Sequence, residues 1–196
     1  FRNNKLSRCL ASDDPQSVRA MILLHNSEAM SRPWFEQLEA GIRSGTPPFG
    51  LSHGEDLFDY LDHNGDFDQL FSAAMDSVEA LAGDGYATDL DWRRFERIID
   101  VGGSRGTKAL AILKRHPGLS ALIVDRPQVV AEAQRYWADH PTEGVERLRF
   151  QAGNLLEAIP AATGPKDVYL LSAVLHGFDD DICVRALQKL REAIGD

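Results

Sequence analysis

The chain has 196 residues, of which 43% are hydrophobic, enough apolar material for one large domain or for one small domain with an additional segment. Its formal net charge of −9 would repel a phosphate backbone, and no basic stripe is interleaved with aromatic residues, so we expect no nucleic-acid partner. No apolar run approaches the ~20 residues of a membrane helix and no signal peptide opens the chain, so we expect no membrane partner and a cytoplasmic location. The two cysteines lie far apart and the histidines are scattered, so no metal site is predicted.

The first 88 residues are predicted to be entirely helical. Ser12 to Pro15 offers a capping residue and a first-turn proline, which predicts a helix from there to about Met30. A second helix is predicted from about Arg32 to Gly45, and Phe49 to His53 is predicted to be a loop. A short helix from Glu55 to Asp62 comes next, and a longer one begins after Asn64-Gly65.

The longer helix carries a stripe of apolar side chains. Phe67, Phe71 and Met75 fall at i, i+4 and i+8, so they share one face of the helix. Such a stripe is either ordinary core or an apolar wall for a flat substrate, because methionine adapts to irregular shapes and its sulfur packs well at a ring edge. The sequence leaves both interpretations open.

A glycine-rich turn follows the segment Arg97–Val101. This segment is rich in apolar, β-branched residues, and the glycines Gly102, Gly103 and Gly106 follow it. The pattern predicts a buried strand that turns sharply into a helix. Glycine is needed where a ligand touches the backbone directly or where φ is positive. The dinucleotide fingerprint is incomplete, because Val101 stands at its first glycine. Asp100, two residues before Gly102, suits a cofactor that carries an amino group.

Beyond this turn the chain alternates between helices and apolar runs. The predicted elements are a helix from Thr107 to His116, a strand from Ser120 to Asp125, a helix from Val129 to Asp139, strands over 148–154 and 167–175, and a final helix beyond Asp181. This order predicts a doubly wound α/β fold with a parallel sheet. We therefore predict a helical segment over residues 1–88 and an α/β domain over residues 89–196.

Four features each follow the carboxyl end of a predicted strand: the glycine turn, Asp125, Asn154 and His176. Right-handed crossovers place these ends at one edge of the sheet, where ligands bind, so all four are predicted to face one crevice. Asp125 either accepts the two hydroxyls of a ribose or caps the next helix. His176 is either a reactive group or a histidine packed at a strand end.

Several of these motifs together resemble a known family. They are Asp100-Val101-Gly102-Gly103, Asp125 at the end of its strand, Gly153-Asn154-Leu155-Leu156, and Val174-Leu175-His176-Gly177-Phe178-Asp179-Asp180. The resemblance is to the class I S-adenosylmethionine (SAM) dependent small-molecule O-methyltransferases of the caffeate, hydroxyindole and polyketide type, and it spans nearly the whole chain. It implies a Rossmann-like methyltransferase sheet over 89–196 without its C-terminal strands. It also implies that 1–88 combines the remnant of a dimerisation domain with substrate-pocket helices.

The resemblance also implies roles for individual residues. His176 would be the general base that removes the proton of a substrate hydroxyl. The cofactor SAM would be bound by Asp100, Gly102, Gly103, Gly106, Asp125, Arg126, Asn154, Leu155 and Ser172. The substrate would be bound by Phe67, Phe71, Met75 and Phe178. The expected protein is a homodimer that methylates a hydroxylated aromatic or polyketide-like small molecule in secondary metabolism, without a metal.

Four positions depart from the pattern of that family. Asn154 replaces an aspartate, Ser172 stands where many members have a lysine that touches the cofactor, and Gly177 and Phe178 replace aspartate and tryptophan. The carboxylates that orient the histidine in the family would lie beyond Asp196. Two alternatives therefore stay open, a SAM-binding relative that catalyses hydroxylation or decarboxylation and a non-catalytic dimerising module. A nicotinamide dehydrogenase is disfavoured by Val101.

Overall fold

The structure is a computed structural model that describes residues 2–83 and 85–195, with all of their side chains except those of 79–82. It divides the chain into two compact units, residues 1–83 and 84–196. The first unit is helical and the second contains a parallel sheet with helices. The predicted fold class, an α/β sheet preceded by an all-α segment, is confirmed.

Six helices form the helical unit, as far as the described residues show. They are α1 (Lys5–Arg8), α2 (Arg19–His25), α3 (Glu28–Ser44), α4 (Pro48–His53), α5 (Leu57–His63) and α6 (Gly65–Ala82). As predicted, α3 ends at Gly45, which adopts the left-handed conformation with φ of 73°. The main packing contacts of the unit join α2 to α6 and α3 to α4.

Two predictions for this unit were wrong. The first helix does not begin at Ser12 to Pro15, because the chain is not helical there and α2 begins at Arg19. It also does not continue to Met30, because Ser27 caps a new helix by accepting the Met30 N–H, and α3 begins at Glu28. The segment Phe49 to His53 is not a loop but belongs to α4, whose first residue, Pro48, has its φ already fixed near the helical value.

A proline inside α3 explains how α4 is attached. Pro33 has no N–H, so the carbonyl of Ala29, four residues earlier, lacks its usual helical partner. His53 Nε2 lies 2.9 Å from this oxygen and donates a hydrogen bond to it. The same imidazole contacts the rings of Phe49 and Tyr60, with centroids 4.2 and 4.6 Å away.

The sheet unit contains four parallel strands in the order β3-β2-β1-β4. The strands are β1 (Arg97–Val101), β2 (Ser120–Asp125), β3 (Leu148–Ala152) and β4 (Asp167–Leu170), and the helices are α7 (Thr107–Arg115), α8 (Pro127–Asp139) and α9 (Asp180–Ile194). Alternate strand residues face opposite sides, as a pleated strand requires. Ile98 and Ile123 pack with residues of α7, whereas Ile99 and Val124 pack with Ala186 of α9.

The fourth strand is shorter than the predicted 167–175. It pairs with β1 only as far as Leu170 opposite Asp100, because β1 itself ends at Val101 and turns into the glycine segment. Ala173 then adopts a positive φ of 55°, and a short 3₁₀ turn spans Leu175–Gly177. The carboxyl end of β4 is therefore an irregular segment.

The residues just before the predicted boundary at 88/89 pack with the sheet unit. Trp92 Nε1 donates a hydrogen bond of 2.9 Å to the carbonyl of Tyr86, and Ala87 is fully buried in the core beside α7.

Every helix in the described ranges 2–83 and 85–195 is too short or too polar to cross a membrane. The cytoplasmic location stays a prediction.

Candidate functional site

The glycine turn between β1 and α7 is packed so closely that side chains would not fit. Gly102 and Gly106 have φ values of 76° and 74°, which L-residues with a side chain rarely adopt. A Cβ at Gly106 would lie 2.9 Å from Ile123 Cγ1, and one at Gly102 would lie 2.8 Å from Val174 Cγ2. Both glycines are therefore required by backbone conformation and by close approach.

Asp100 lies beneath this turn rather than at the open surface. Its side chain is buried, with 2% of the residue exposed. A Cβ at Gly103 would lie only 2.6 Å from the Asp100 carboxyl carbon, so the carboxyl group is packed directly against the turn. This position allows Asp100 to support the loop from below.

Two backbone amides orient the carboxylate of Asp125 at the end of β2. The Ser104 N–H donates to Oδ2 and the Arg126 N–H donates to Oδ1, both at 2.8 Å. Ser104 has a positive φ of 51°, and Gly102 and Gly106 of the same turn also have positive φ values. The acid therefore joins the glycine turn to Arg126, the residue directly before α8.

The segment after β3 is attached to the same strand end. The Gly153 N–H donates to the carbonyl of Asp125 at 2.9 Å. Asn154 is exposed, and its Oδ1 accepts the Leu156 N–H at 2.9 Å, which closes a local turn. Leu155 is 9% exposed and packs in the core on the α9 side of the sheet.

Ser172, which follows β4, contacts a lysine from the other side of the glycine turn. The Lys108 Nζ, from the first turn of α7, donates a short hydrogen bond to the Ser172 hydroxyl. The same ammonium group lies 5.0 Å from the centre of the Tyr86 ring, within the range of a cation–π interaction. Lys108 thus joins the helix after the glycine turn to the carboxyl end of β4.

His176 is exposed at the centre of the 3₁₀ turn Leu175–Gly177. The residue before this turn, Val174, contacts Gly102, so the histidine turn lies against the glycine turn. On its other side the Cys183 thiol of α9 donates to the carbonyl of Leu175 at 3.2 Å. The structure therefore brings the histidine turn, the glycine turn and Asp125 to one edge of the sheet.

The predicted substrate-binding residues lie in two places. Phe178 is half-buried among core residues on the α9 side of the sheet. Phe67, Phe71 and Met75 lie on α6 of the helical unit and are also half-buried, whereas Asp68 and Ser72 on the same helix are buried at 6% exposure. The apolar stripe is thus not the most buried face of α6.

Four residues around the turns make contacts that were not predicted from the sequence: Ser104, Lys108, Val174 and Cys183. The amide of Ser104 and the chain around Val174 act through backbone geometry and close packing, which residue types do not reveal. Lys108 had a usable signal, because a cation two residues after the last glycine lies in the first turn of the following helix. Its contact with Ser172 joins positions 64 residues apart, which local patterns cannot show.

A family model supports the grouping seen at this edge. Residues 35–196 match an O-methyltransferase domain, which covers most of the chain and all of the turns described above. The chain belongs to the O-methyltransferase family. The resemblance to small-molecule O-methyltransferases noted in the sequence is confirmed.

Individual relatives agree with this assignment. The chain is 32% identical to 3-O-methylredipecamine 2-O-methyltransferase of Carapichea ipecacuanha, over 99% of this chain and 51% of that relative. A solved structure of the mitomycin 7-O-methyltransferase MmcR is 30% identical, has a TM-score of 0.87, and is matched by 100% of this chain over 56% of its own length. The chain thus spans about half the length of the curated relatives it matches.

A further solved structure shows ligands. NcsB1 from neocarzinostatin biosynthesis was solved in complex with SAM and 2-hydroxy-5-methyl naphthoic acid. It is 29% identical to this chain, with a TM-score of 0.82, and the match covers 98% of this chain and 57% of NcsB1.

Proposed function

We propose that this protein is a SAM-dependent O-methyltransferase that acts on a hydroxyl of an aromatic or polyketide-like small molecule, with His176 as the general base. The observation that carries the proposal is the contact between Gly102 and Val174. This contact brings a glycine turn suited to a nucleotide cofactor next to the turn that presents an exposed histidine. Family membership and the ligands of NcsB1 support the same chemistry.

The groups at the edge of the sheet fit SAM. The glycine turn lets a ligand approach the backbone without interference from a Cβ. The Asp125 carboxylate, oriented by two amides, is suited to accept hydrogen bonds from the two hydroxyls of a ribose. Adenine is proposed to lie at the turn after β3, where Asn154 is exposed and Leu155 anchors the turn in the core. Phe178 is half-buried, and we propose that its exposed part forms a wall of the substrate pocket.

When bound, SAM supplies an electrophilic methyl group on a sulfonium. In the proposed reaction the substrate oxygen forms a bond to this methyl carbon, the carbon–sulfur bond breaks, and S-adenosylhomocysteine (SAH) is left. An imidazole is a weaker base than a phenolate, so His176 accepts the hydroxyl proton as the transfer proceeds rather than before it. The protein otherwise acts by holding oxygen, methyl and sulfur in line.

The experiment combines binding with turnover. Calorimetric titration of the purified protein with SAH should show binding, whereas NAD should not bind. A screen of phenolic acceptors should then give methylated product and SAH. His176→Ala should keep its SAH affinity and lose about 10²-fold to 10⁴-fold in kcat, the usual contribution of a general base. His140→Ala, another exposed histidine of the sheet unit, is the matched control and should keep full activity.

The open alternatives predict different results in the same experiment. SAH binding with oxidised or decarboxylated product and no methylated product would favour the relatives that do not transfer a methyl group. Failure to bind SAH would favour a non-catalytic module. Full activity of His176→Ala would contradict the role of the histidine while leaving the cofactor assignment intact.

We also propose that the protein is a homodimer. The helix α3 exposes large apolar side chains, with Phe35 at 89% and Ile42 at 75% exposure, and Leu38 lies between them on the same face. An exposed apolar stripe of this size is typical of an interface, and a second copy of the chain is the proposed partner. Light scattering should give the mass of two chains, and the mass of one chain at micromolar concentration would contradict the proposal.

A further inference from the structure

Lys108 occupies a specific position at the sheet edge. It lies in the first turn of α7, yet its ammonium group reaches the hydroxyl of Ser172 after β4. The Tyr86 ring lies beneath the charge at 5.0 Å, and the lysine is half-buried. A hydroxyl and an aromatic face hold a positive charge in place beside the glycine turn.

The strand order sets the direction in which the ligand lies. In the proposed function the ribose lies at Asp125, at the end of β2, and adenine lies at the turn after β3. Because the order is β3-β2-β1-β4, the remaining part of the ligand extends over the glycine turn of β1 toward the end of β4. That remaining part of SAM or SAH is the amino acid, which carries a carboxylate.

We propose that the ammonium group of Lys108, held by Ser172 and Tyr86, binds the amino-acid carboxylate of SAM. This inference rests on the proposed function. It assigns Ser172 an indirect part, since its hydroxyl orients the lysine. Charge-assisted hydrogen bonds between an ammonium and a carboxylate are shorter and stronger than neutral ones, so the contact should contribute measurably to affinity.

The test compares two ligands that differ in the proposed contact. SAH contains the amino acid, whereas 5′-methylthioadenosine keeps the adenosine and the thioether but lacks the amino acid. Lys108→Met keeps an unbranched side chain that is shorter by one atom, and it removes the charge. Calorimetric titration of this variant should show about 10-fold to 100-fold weaker binding of SAH than in the parent protein. The affinity for 5′-methylthioadenosine should change less than about 3-fold, which also shows that the variant is folded.

Lys114→Met provides the matched control. It removes the same charge from the same helix at an exposed position, and it should leave the affinity for both ligands unchanged. If Lys108→Met weakens both ligands equally, or neither, Lys108 does not bind the carboxylate. Equal affinity of the parent protein for the two ligands would also overturn the inference while keeping the proposed function. Failure of the parent protein to bind either ligand would overturn both.

Discussion

The two units differ in where their large apolar side chains lie. In the sheet unit, Ile98, Ile99 and Ile123 are fully buried between the strands and the helices on either side. In the helical unit, Phe35 and Ile42 of α3 are almost fully exposed. The sheet unit also exposes apolar side chains, among them Val184 at 52% and Leu187 at 48%, but Phe35 and Ile42 are more exposed and form a stripe that another surface can cover.

Both units bury an acidic side chain. On α6 the side chains of Asp68 and Ser72 are buried. In the sheet unit the buried acid, Asp100, lies directly beneath the glycine turn. In the proposals above, the sheet unit provides the ligand site and the helical unit provides the assembly surface.

The largest expected effect concerns the assembly surface. Ile42→Asp places a charge in the stripe, and burying an unpaired carboxylate in an interface costs several kcal/mol. We expect the dissociation constant of the proposed dimer to rise at least about 100-fold relative to the parent protein, as measured by analytical ultracentrifugation. Ala40→Asp adds the same charge to α3 outside the stripe, and it should leave the dimer intact. A dimer that survives Ile42→Asp would show that α3 is not the interface.

The next effect tests the difference in packing between the units. Gly106 and Gly45 have nearly equal φ values, 74° and 73°. A Cβ at Gly106 would lie 2.9 Å from Ile123, whereas nothing lies within 4 Å of a Cβ at Gly45. Gly106→Ala should therefore lower the free energy of unfolding by about 3 kcal/mol through strain and overpacking. Gly45→Ala should lower it by about 1 kcal/mol through strain alone. Urea unfolding measures both, and equal losses would contradict the packing argument.

The sequence predicted the sheet unit better than the helical unit. The run Ser120–Asp125 was predicted with its observed bounds, because β-branched residues end in an acid and a helix-starting proline follows. The helix α4 was missed because its attachment depends on a tertiary contact, in which His53 reaches the Ala29 carbonyl that Pro33 deprives of its helical partner. Likewise, the strand over 167–175 was predicted too long, since its end depends on where its neighbour β1 turns away.

The same distinction applies to the site. Glycines, Asp125 and His176 could be singled out because each follows a strand, and the carboxyl ends of parallel strands share one edge. The buried position of Asp100 and the pairing of Lys108 with Ser172 arise from tertiary packing. Local residue patterns carry no information about these contacts.

A smaller effect tests how the first and fourth strands of the sheet unit are held together. Arg97 Nη2 lies 2.8 Å from Asp167 Oδ2, and Thr163 donates to the same oxygen from its N–H and its hydroxyl. Burial favours the neutral acid, but the Thr163 hydrogen bonds and the Arg97 charge outweigh it, so the pKa of Asp167 lies below its ordinary value of 3.8. The ionised Asp167 carboxylate therefore stabilises the folded state above about pH 4, and this stabilisation is lost as pH falls through the lowered pKa.

Asp167→Asn should therefore lower the free energy of unfolding by about 2 kcal/mol at neutral pH, the usual contribution of hydrogen bonds to a charged group. The free energy of unfolding of the variant should also vary less with pH than that of the parent protein at acid pH. Urea titrations at a series of pH values between neutrality and the acid limit measure both effects. Identical acid profiles for the two proteins would show that this carboxylate does not stabilise the sheet.

The smallest effect concerns the hydroxyl of Tyr169, which joins two segments of the sheet unit. It donates to the carbonyl of Pro160 at 2.7 Å and lies 3.2 Å from the carbonyl of Ala193 at the end of α9. Burial, and then the negative charge of Asp167, raise the pKa of Tyr169 above its ordinary value of 10.0. Its contribution is complete below about pH 10 and is lost as pH rises through the raised pKa. Tyr169→Phe should cost about 1 kcal/mol at neutral pH and remove this alkaline loss, whereas an unchanged alkaline unfolding profile would assign that loss to other groups.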